Sequence, residues 1–332
     1  LPLSIRIVVI PGDGIGREVI PAAVEVLAAT GLPLEFVPAE AGWATFERCG
    51  TALPAATLEA VRACGLALFG AVSSPLGRVP GYRSPIVQMR RELDLYANVR
   101  PAASAPVPGS RPGVDLVIVR ENTEGLYAGR ERREGDTAVA ERVITRRASE
   151  RVAQVACQVA SRRRRRLTIV HKANVLPETC GLFRDAVRQV AAGYAELAVD
   201  ECLVDTMAMR LVGAPEALDT IVTTNLFGDI LSDEAAAVVG GMGLAPAGNI
   251  GEQAAVFEPV HGSAPDIAGR GIANPVAAIL AAAMLLEHVG QAEAAGHVRR
   301  AVGQVLEHGP HTPDLGGAAG TEEVTRAIVE HL

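Results

Sequence analysis

Asp219-Thr220-Ile221-Val222-Thr223-Thr224, running directly into Asn225-Leu226-Phe227-Gly228-Asp229-Ile230-Leu231-Ser232-Asp233, is the stretch on which the rest of this chain turns. The first six residues are an apolar, β-branched run with the character of a strand. Glu234-Ala235-Ala236-Ala237-Val238-Val239 then reads as helix. With a helix in place by Asp229, Asp229 and Asp233 stand at i and i+4 on one face, where two carboxylates repel each other unless a cation lies between them. A hard divalent ion with oxygen ligands, Mg²⁺ or Mn²⁺, suits that position. Two solvated acids on an outer face are the plainer alternative, and D-x-x-x-D alone does not choose between them.

Upstream, Arg6-Ile7-Val8-Val9-Ile10 predicts a central strand, Pro11-Gly12-Asp13-Gly14-Ile15-Gly16 a turn, and Glu18–Ala29 a helix. A dinucleotide fingerprint G-x-G-x-x-G fails here because position 17 is Arg17. Leu34–Val37 and Leu66–Gly70 read as strands flanking a helix at Ala55–Ala63. This alternation predicts α/β layers around a largely parallel sheet. Ser73–Pro85 is a loop rich in Ser, Gly and Pro, followed by a helix carrying Arg90 and by Asn98-Val99-Arg100-Pro101. Leu116–Arg120 is a strand, Val139–Ser161 a helix, and Arg162–Arg166 a basic run leading into strand Leu167–Val170. A solvated helix C-terminus, favoured by the helix dipole, explains that run better than nucleic-acid binding does. Gly240-Gly241-Met242-Gly243 permits close backbone approach. Glu258–Asp266 reads as a polar loop, and Pro275–Leu286 as a buried helix with Pro275 in its first turn.

Composition narrows the function. The 332 residues are 49% hydrophobic, 21% charged and only 3% aromatic, which supports a large aliphatic core. A net charge of −7 disfavours nonspecific nucleic-acid binding. Cys49, Cys64, Cys157, Cys180 and Cys202 form no C-x-x-C pair, as expected of reduced thiols in a cytoplasmic protein. The apolar runs at Ile5–Ile10 and Pro275–Leu286 are too short for a signal core or a membrane span. Arg90, Arg100 and Arg120 fall on or beside predicted element ends. Together with an acidic metal site they suit a substrate bearing several carboxylates. Tyr127 and Lys172, each beyond a strand, are candidate proton carriers.

PGDGIG from Pro11, RRELDLYANVRP from Arg90, IVRENTEGLY from Ile118, HKANVL from His171, NLFGDILSD from Asn225 and EPVHGSAPDIAGRGIANP from Glu258 resemble the signature blocks of the β-decarboxylating dehydrogenases. These are the isocitrate, 3-isopropylmalate, tartrate and homoisocitrate enzymes. Thr312-Pro313-Asp314-Leu315-Gly316-Gly317 extends the match, so that essentially the whole chain is covered. The resemblance implies an isopropylmalate/isocitrate dehydrogenase-like α/β fold rather than a Rossmann fold. Residues 1–98 and 241–332 would form a discontinuous cofactor-binding domain, and 99–240 an inserted dimerisation and metal/substrate domain. It also implies oxidation of a 2-hydroxy acid by NAD⁺ and loss of the 3-carboxylate as CO₂, with Mg²⁺ or Mn²⁺ as Lewis acid.

By the same resemblance Asp229 and Asp233 are metal ligands from one subunit, and Asp205 one from its partner. Arg90, Arg100 and Arg120 hold the carboxylates, with Ser74, Ser84 and Val87 also lining the substrate. Lys172, again from the partner, assists deprotonation of the hydroxyl; Tyr127 protonates the enol; Asn174 lies near nicotinamide and substrate. His261, Gly262, Ser263, Ala264, Pro265, Asp266 and Asn274 wrap the adenosine half. Asp266 would accept from the ribose hydroxyls and repel a 2′-phosphate, favouring NAD⁺ over NADP⁺. A shared site makes a homodimer the smallest competent unit, with a homotetramer also open. The segment 129–143 would be either an arm clasping the partner or a mobile loop.

Within the family, Arg120-Glu121-Asn122-Thr123-Glu124-Gly125 and His171-Lys172 resemble the isocitrate and homoisocitrate branches more than the isopropylmalate branch. Gly81-Tyr82-Arg83-Ser84-Pro85-Ile86-Val87 is most similar to homoisocitrate dehydrogenases, since Ile86 replaces the asparagine usual in isocitrate enzymes. Arg83 either reaches the distal carboxylate or is solvated. The alternatives are isocitrate, dual or isopropylmalate activity, or a silent nucleotide-binding subunit. Retention of Tyr127, Lys172, Asp205, Asp229 and Asp233 argues against the last.

Overall fold

The computed structural model describes residues 4–75, 77 and 79–332, so Leu76 and Arg78 of the Ser73–Pro85 loop lie outside the described residues. The chain folds as two compact units, one of residues 1–94, 105–110 and 240–332, the other of 95–104 and 111–239. The first unit begins with β1 (Ile5–Gly12), α1 (Gly16–Ala29), β2 (Leu34–Pro38), α2 (Trp43–Cys49), α3 (Ala55–Cys64), β3 (Leu66–Ala71) and α4 (Pro85–Glu92). The second comprises β4 (Ala97–Ala103), β5 (Asp115–Glu121), β6 (Glu131–Glu134), β7 (Thr137–Ala140), α5 (Arg146–Ser161), β8 (Arg166–His171), α6 (Pro177–Ala191), β9 (Ala198–Leu203), α7 (Val204–Gly213), β10 (Thr220–Thr223) and α8 (Asn225–Val238). The chain then returns to the first unit with β11 (Pro246–Ile250), β12 (Ala255–Pro259), α9 (Val276–His288), α10 (Ala292–His308) and α11 (Thr321–Glu330).

In the first unit the strands run β2-β1-β3-β12-β11, parallel except for the β11–β12 pair. In the second they run β4-β5-β10-β8-β9, parallel except for β4 against β5. Both are α/β layers, and the sequences show why. Every residue of β3 and all but the first of β5 are buried, so both strands are near-continuous apolar runs. α9 is hydrophobic almost all round (Val276-Ala277-Ala278-Ile279-Leu280) and is correspondingly buried. It packs with Val19 and Val26 of α1, Phe257 of β12 and Val298 of α10 in an aliphatic core. The second core gathers Leu116, Ile118, Val170, Met207, Leu211, Ile221 and Leu231.

The glycines of Pro11–Gly16 answer the question that the failed fingerprint raised. A Cβ on Gly12 would lie 2.0 Å from the Ala71 carbonyl oxygen, and one on Gly14 would lie 2.0 Å from that of Ser263. Both have positive φ, +75° and +53°. The loop is thus packed against its own unit: Ile15 N–H donates to Ser263 O at 2.9 Å. The buried carboxylate of Asp13 accepts from the backbone N–H groups of Trp43, Ala44 and Ser73.

Several sequence expectations need correction. The helix expected over Val139–Ser161 starts only at Arg146, because Thr145 caps it by accepting the Ala148 N–H at 3.2 Å, and Thr137–Ala140 is a strand. Segment 129–143 contains the exposed antiparallel β6–β7 hairpin. The basic run is not merely solvated. Arg163 Nε donates to the fully buried Asp219 carboxylate at 2.9 Å and Nη2 to Asp115 Oδ1 at 2.9 Å, so it ties the α5–β8 connection to the sheet ends. Arg100 stands in the middle of β4, not near an element end. Glu258 and Pro259, expected in a polar loop, close β12 and are buried. Among the described residues no helix is long and apolar enough to cross a membrane.

Candidate active site

α8 begins right after β10, and its first three turns carry Asn225, Asp229, Ser232 and Asp233. β4 and β5 are antiparallel neighbours with Asn98 opposite Arg120 and Arg100 opposite Ile118. Gly228 lets α8 lie close to β5: a Cβ there would be 2.7 Å from both Cβ and Cγ of Arg120. The resulting cluster is charged and mostly buried. Arg120 is 1% exposed; Nε and Nη2 donate to Asn225 Oδ1 at 3.0 and 2.7 Å, and Nη1 donates to Asp229. Arg100 is also buried; Nε donates to Asn98 Oδ1 (2.6 Å) and Nη1 to Ser232 Oγ (2.7 Å).

The same Arg100 guanidinium spans both acids, with Nη2 3.4 Å from Asp229 Oδ1 and Nη1 3.3 Å from Asp233 Oδ1. The cation that the i, i+4 repulsion requires is therefore supplied within this chain by an arginine. Asp229 and Asp233 do share a face. Burial pushes the Asp233 carboxyl above its usual range, Asp229 adds to this, and Arg100 and Arg120 oppose it. Tyr127, in a short turn at Leu126–Ala128, donates its hydroxyl to Asp229, and the Arg120 guanidinium lies 5.0 Å from its ring centre. Burial and the Asp229 carboxylate push the Tyr127 phenol up, so it holds its proton.

Lys172 follows β8 directly, and its amine donates to Asp205 in the first turn of α7. That bond holds the Asp205 carboxyl below its usual range. Asn174 is exposed two residues on. Among the described residues no three His, Cys, Asp or Glu side chains form a metal-holding group. Asp205 accordingly pairs with Lys172 in this chain and does not join Asp229 and Asp233.

In the first unit, Arg90 lies in the last turn of α4 and is buried, with Nε donating to Asn249 Oδ1 (3.0 Å) and Nη2 to Glu258 Oε1 (2.9 Å). Asn249 Nδ2 also donates to Glu258 Oε1 at 2.7 Å. These partners on β11 and β12 were missed in the sequence, and no local spacing signals them. Ser84, Ile86 and Val87 are half-buried, whereas Ser74 and Arg83 are exposed. Tyr82 fixes that loop: its hydroxyl donates to Ser73 O at 2.8 Å and its ring packs edge-on to Trp43 and Phe46.

Along 261–274, Gly262, Pro265 and Asp266 are exposed, Ala264 is half-buried, and Ser263 is buried with its hydroxyl accepting from Ser73 at 2.8 Å. His261 Nε2 is buried and has no hydrogen-bond partner among the described residues, and burial lowers the ring pKa. Asn274 is occupied locally: Oδ1 accepts the Val276 N–H at the start of α9, and Nδ2 donates to Asp314.

Comparison with known proteins gives the same picture over the whole length. The isocitrate/isopropylmalate dehydrogenase family model matches residues 6–328. An isocitrate/homoisocitrate dehydrogenase of Thermus thermophilus is 62% identical over 331 residues, covering 99% of either chain. A 3-isopropylmalate dehydrogenase of Methanothermobacter thermautotrophicus is 51% identical, again over 99% of each. The crystal structure of isocitrate dehydrogenase from Methylococcus capsulatus superposes with a TM-score of 0.94 at 47% identity, covering 98% of both chains. With signature blocks, fold and full-length similarity in agreement, the chain belongs to the isocitrate/isopropylmalate dehydrogenase family and is an oxidatively decarboxylating dehydrogenase.

Proposed function

We propose that this protein oxidises homoisocitrate with NAD⁺ and a divalent ion, Mg²⁺ or Mn²⁺, releasing 2-oxoadipate, CO₂ and NADH, in the cytoplasmic α-aminoadipate route to lysine. The observation that carries the reading is one cluster in which Asp229, Asp233, Arg100, Arg120 and Tyr127 converge. Its donor set fits a hard cation, because the two carboxylates already share a positive partner. His261 Nε2, unpartnered among the described residues, and the exposed Asp266 fit the adenosine half of a dinucleotide.

When bound, the ion would supply Lewis acidity and the nicotinamide cofactor a hydride acceptor. Asp229 and Asp233 would hold the ion, joined by Asp205 of a neighbouring copy in a homodimer or homotetramer. Arg90, Arg100 and Arg120 turn from their present acidic and amide partners to the substrate carboxylates, where bidentate geometry orients the polyacid. Lys172, brought with Asp205 by the neighbouring copy, would assist deprotonation of the hydroxyl. Tyr127, kept protonated by its raised pKa, delivers a proton to the enol carbon left after CO₂ departs. Asn174 orients the nicotinamide, and Asp266 selects NAD⁺.

Two features support homoisocitrate: Ser84, Ile86 and Val87 at the start of α4, just after the loop held by Tyr82, and the name carried by the Thermus relative. That name also includes isocitrate, which is the second reading. The two substrates differ by one methylene, worth ~1–3 kcal/mol in an apolar pocket. Side-by-side kcat/KM values for homoisocitrate, isocitrate and 3-isopropylmalate, with NAD⁺ and Mg²⁺, test the choice. Homoisocitrate is expected to lead by roughly tenfold or more; a lead for isocitrate would overturn it.

A further inference from the structure

We propose that Arg142 is a positioning residue, one guanidinium that holds together the loop presenting Lys172, which serves the site of the neighbouring copy, and the helix presenting Asp229 and Asp233, which serve the chain's own site. The inference rests on the roles given above to those three residues. Arg142 lies just beyond the β6–β7 hairpin and touches none of them. Its Nη1 donates to Thr179 Oγ1 at 3.1 Å and to Cys180 Sγ at 3.0 Å, both in the first turn of α6. Its Nη2 donates to Thr224 Oγ1 at 2.9 Å, and the guanidinium lies 5.0 Å from the ring centre of Phe227.

Each partner leads to a working residue. Cys180 is fully buried, and its Sγ also accepts the backbone N–H of Lys172 at 3.2 Å. The Lys172 carbonyl in turn accepts from Val175 and Leu176, and Ala173 N–H donates to His171 Nδ1 at 3.1 Å, so the turn around Lys172 is fastened at several points. On the other side Thr224 is the residue before α8, and its carbonyl accepts the Gly228 N–H at 2.9 Å. Thr224 and Phe227 therefore set the direction of the helix whose next turns carry Asp229 and Asp233. A planar fork of N–H groups reaches acceptors on two segments while its flat face lies against a ring; a compact ammonium lacks that fixed geometry and serves the same set less well. Misplacing reacting groups by about 1 Å can cost ~10²-fold in rate, which makes such a clamp consequential without its touching substrate.

The test uses the full chain, with kcat and KM on the best 2-hydroxy acid substrate, Mg²⁺ affinity by calorimetry and Tm. Arg142→Ala is expected to lower kcat by about 30- to 100-fold, to leave substrate KM within about threefold and to weaken Mg²⁺ by about tenfold. Arg142→Lys should recover only a small part. Cys180→Ala should lower kcat about tenfold with Mg²⁺ affinity unchanged, and Cys180→Ser, which restores an acceptor, should recover most of that loss. Thr224→Val should weaken Mg²⁺ instead. Folded Arg142→Ala with kcat and Mg²⁺ affinity within about twofold of the parent would overturn the proposal. Should that variant not fold, parental kcat in Cys180→Ala and parental Mg²⁺ affinity in Thr224→Val would overturn it equally. A parent that turns over no 2-hydroxy acid would sink the functional reading instead, and the Mg²⁺ arm alone then decides the clamp.

Discussion

At Arg100 two roles compete for one guanidinium. It neutralises Asp229 and Asp233, at 3.4 and 3.3 Å, and it is also the group proposed to grip a substrate carboxylate. On the proposed reading, a cation bound between the two acids would compete with Arg100 for the same oxygens, and binding of the ion would release the arginine toward substrate. Arg100→Met should therefore tighten Mg²⁺ binding by several-fold in calorimetry while kcat/KM falls by ~100-fold or more, the loss expected of a charge-assisted bidentate contact. It should also lower the Tm of the metal-free protein, because unneutralised carboxylates at i and i+4 repel. Weaker Mg²⁺ binding in that variant would show that the arginine and the ion do not compete.

At the scale of the element, α8 and α5 each depend on one atom-level fit. Gly228→Ala would raise intrinsic helix propensity by ~1 kcal/mol. Its Cβ, however, would lie 2.7 Å from two atoms of the buried Arg120, and overpacking of that kind costs ~1–3 kcal/mol. The overlap wins, so the variant should melt below the parent and lose roughly tenfold or more in kcat/KM as Arg120 is displaced. α5 starts where Glu124 Oε1 accepts the Thr145 N–H at 2.7 Å. Burial, with Glu121 nearby, raises the Glu124 pKa from the ordinary 4.5 to about 7, against the Thr145 bond and Arg151. The folded state then binds more protons than the unfolded one between those values. Stability falls as pH rises through that window and is level above it, by no more than roughly 3 kcal/mol. Glu124→Gln keeps an acceptor without the charge and should flatten the decline in Tm between about pH 4.5 and 7; an unchanged slope would exclude Glu124 as its source.

For the whole molecule, the shared-site reading predicts that copies associate through the second unit. Met209 and Val212 on α7 and Ile230 on α8 are 67%, 62% and 59% exposed, large apolar side chains of the kind that mark interfaces. Sedimentation should find no monomer at micromolar concentration. Met209→Glu with Ile230→Glu should yield monomers without activity but with near-parental circular dichroism. Monomers that retain full turnover would refute a site completed by Lys172 and Asp205 of a second copy.

Periodicity and composition alone determined the α/β class, the strands β1, β3, β5 and β8 to within a residue or two, and the common face of Asp229 and Asp233. Those features are set by side chains a few positions apart, which a linear pattern records. The signature blocks carried the family and the candidate arginines, since they are contiguous runs. Only the tertiary structure decided what the arginines hold: Asn249 and Glu258 stand 159 and 168 positions from Arg90. It likewise showed that the Pro11–Gly16 glycines make room for Ala71 and Ser263, and that the arginine run fastens the buried Asp219. It also set Lys172 and Cys180 under a clamp formed by Arg142. Each of these contacts depends on where separate elements come to rest in space, and that arrangement arises from burying two aliphatic cores, not from any local run of residues.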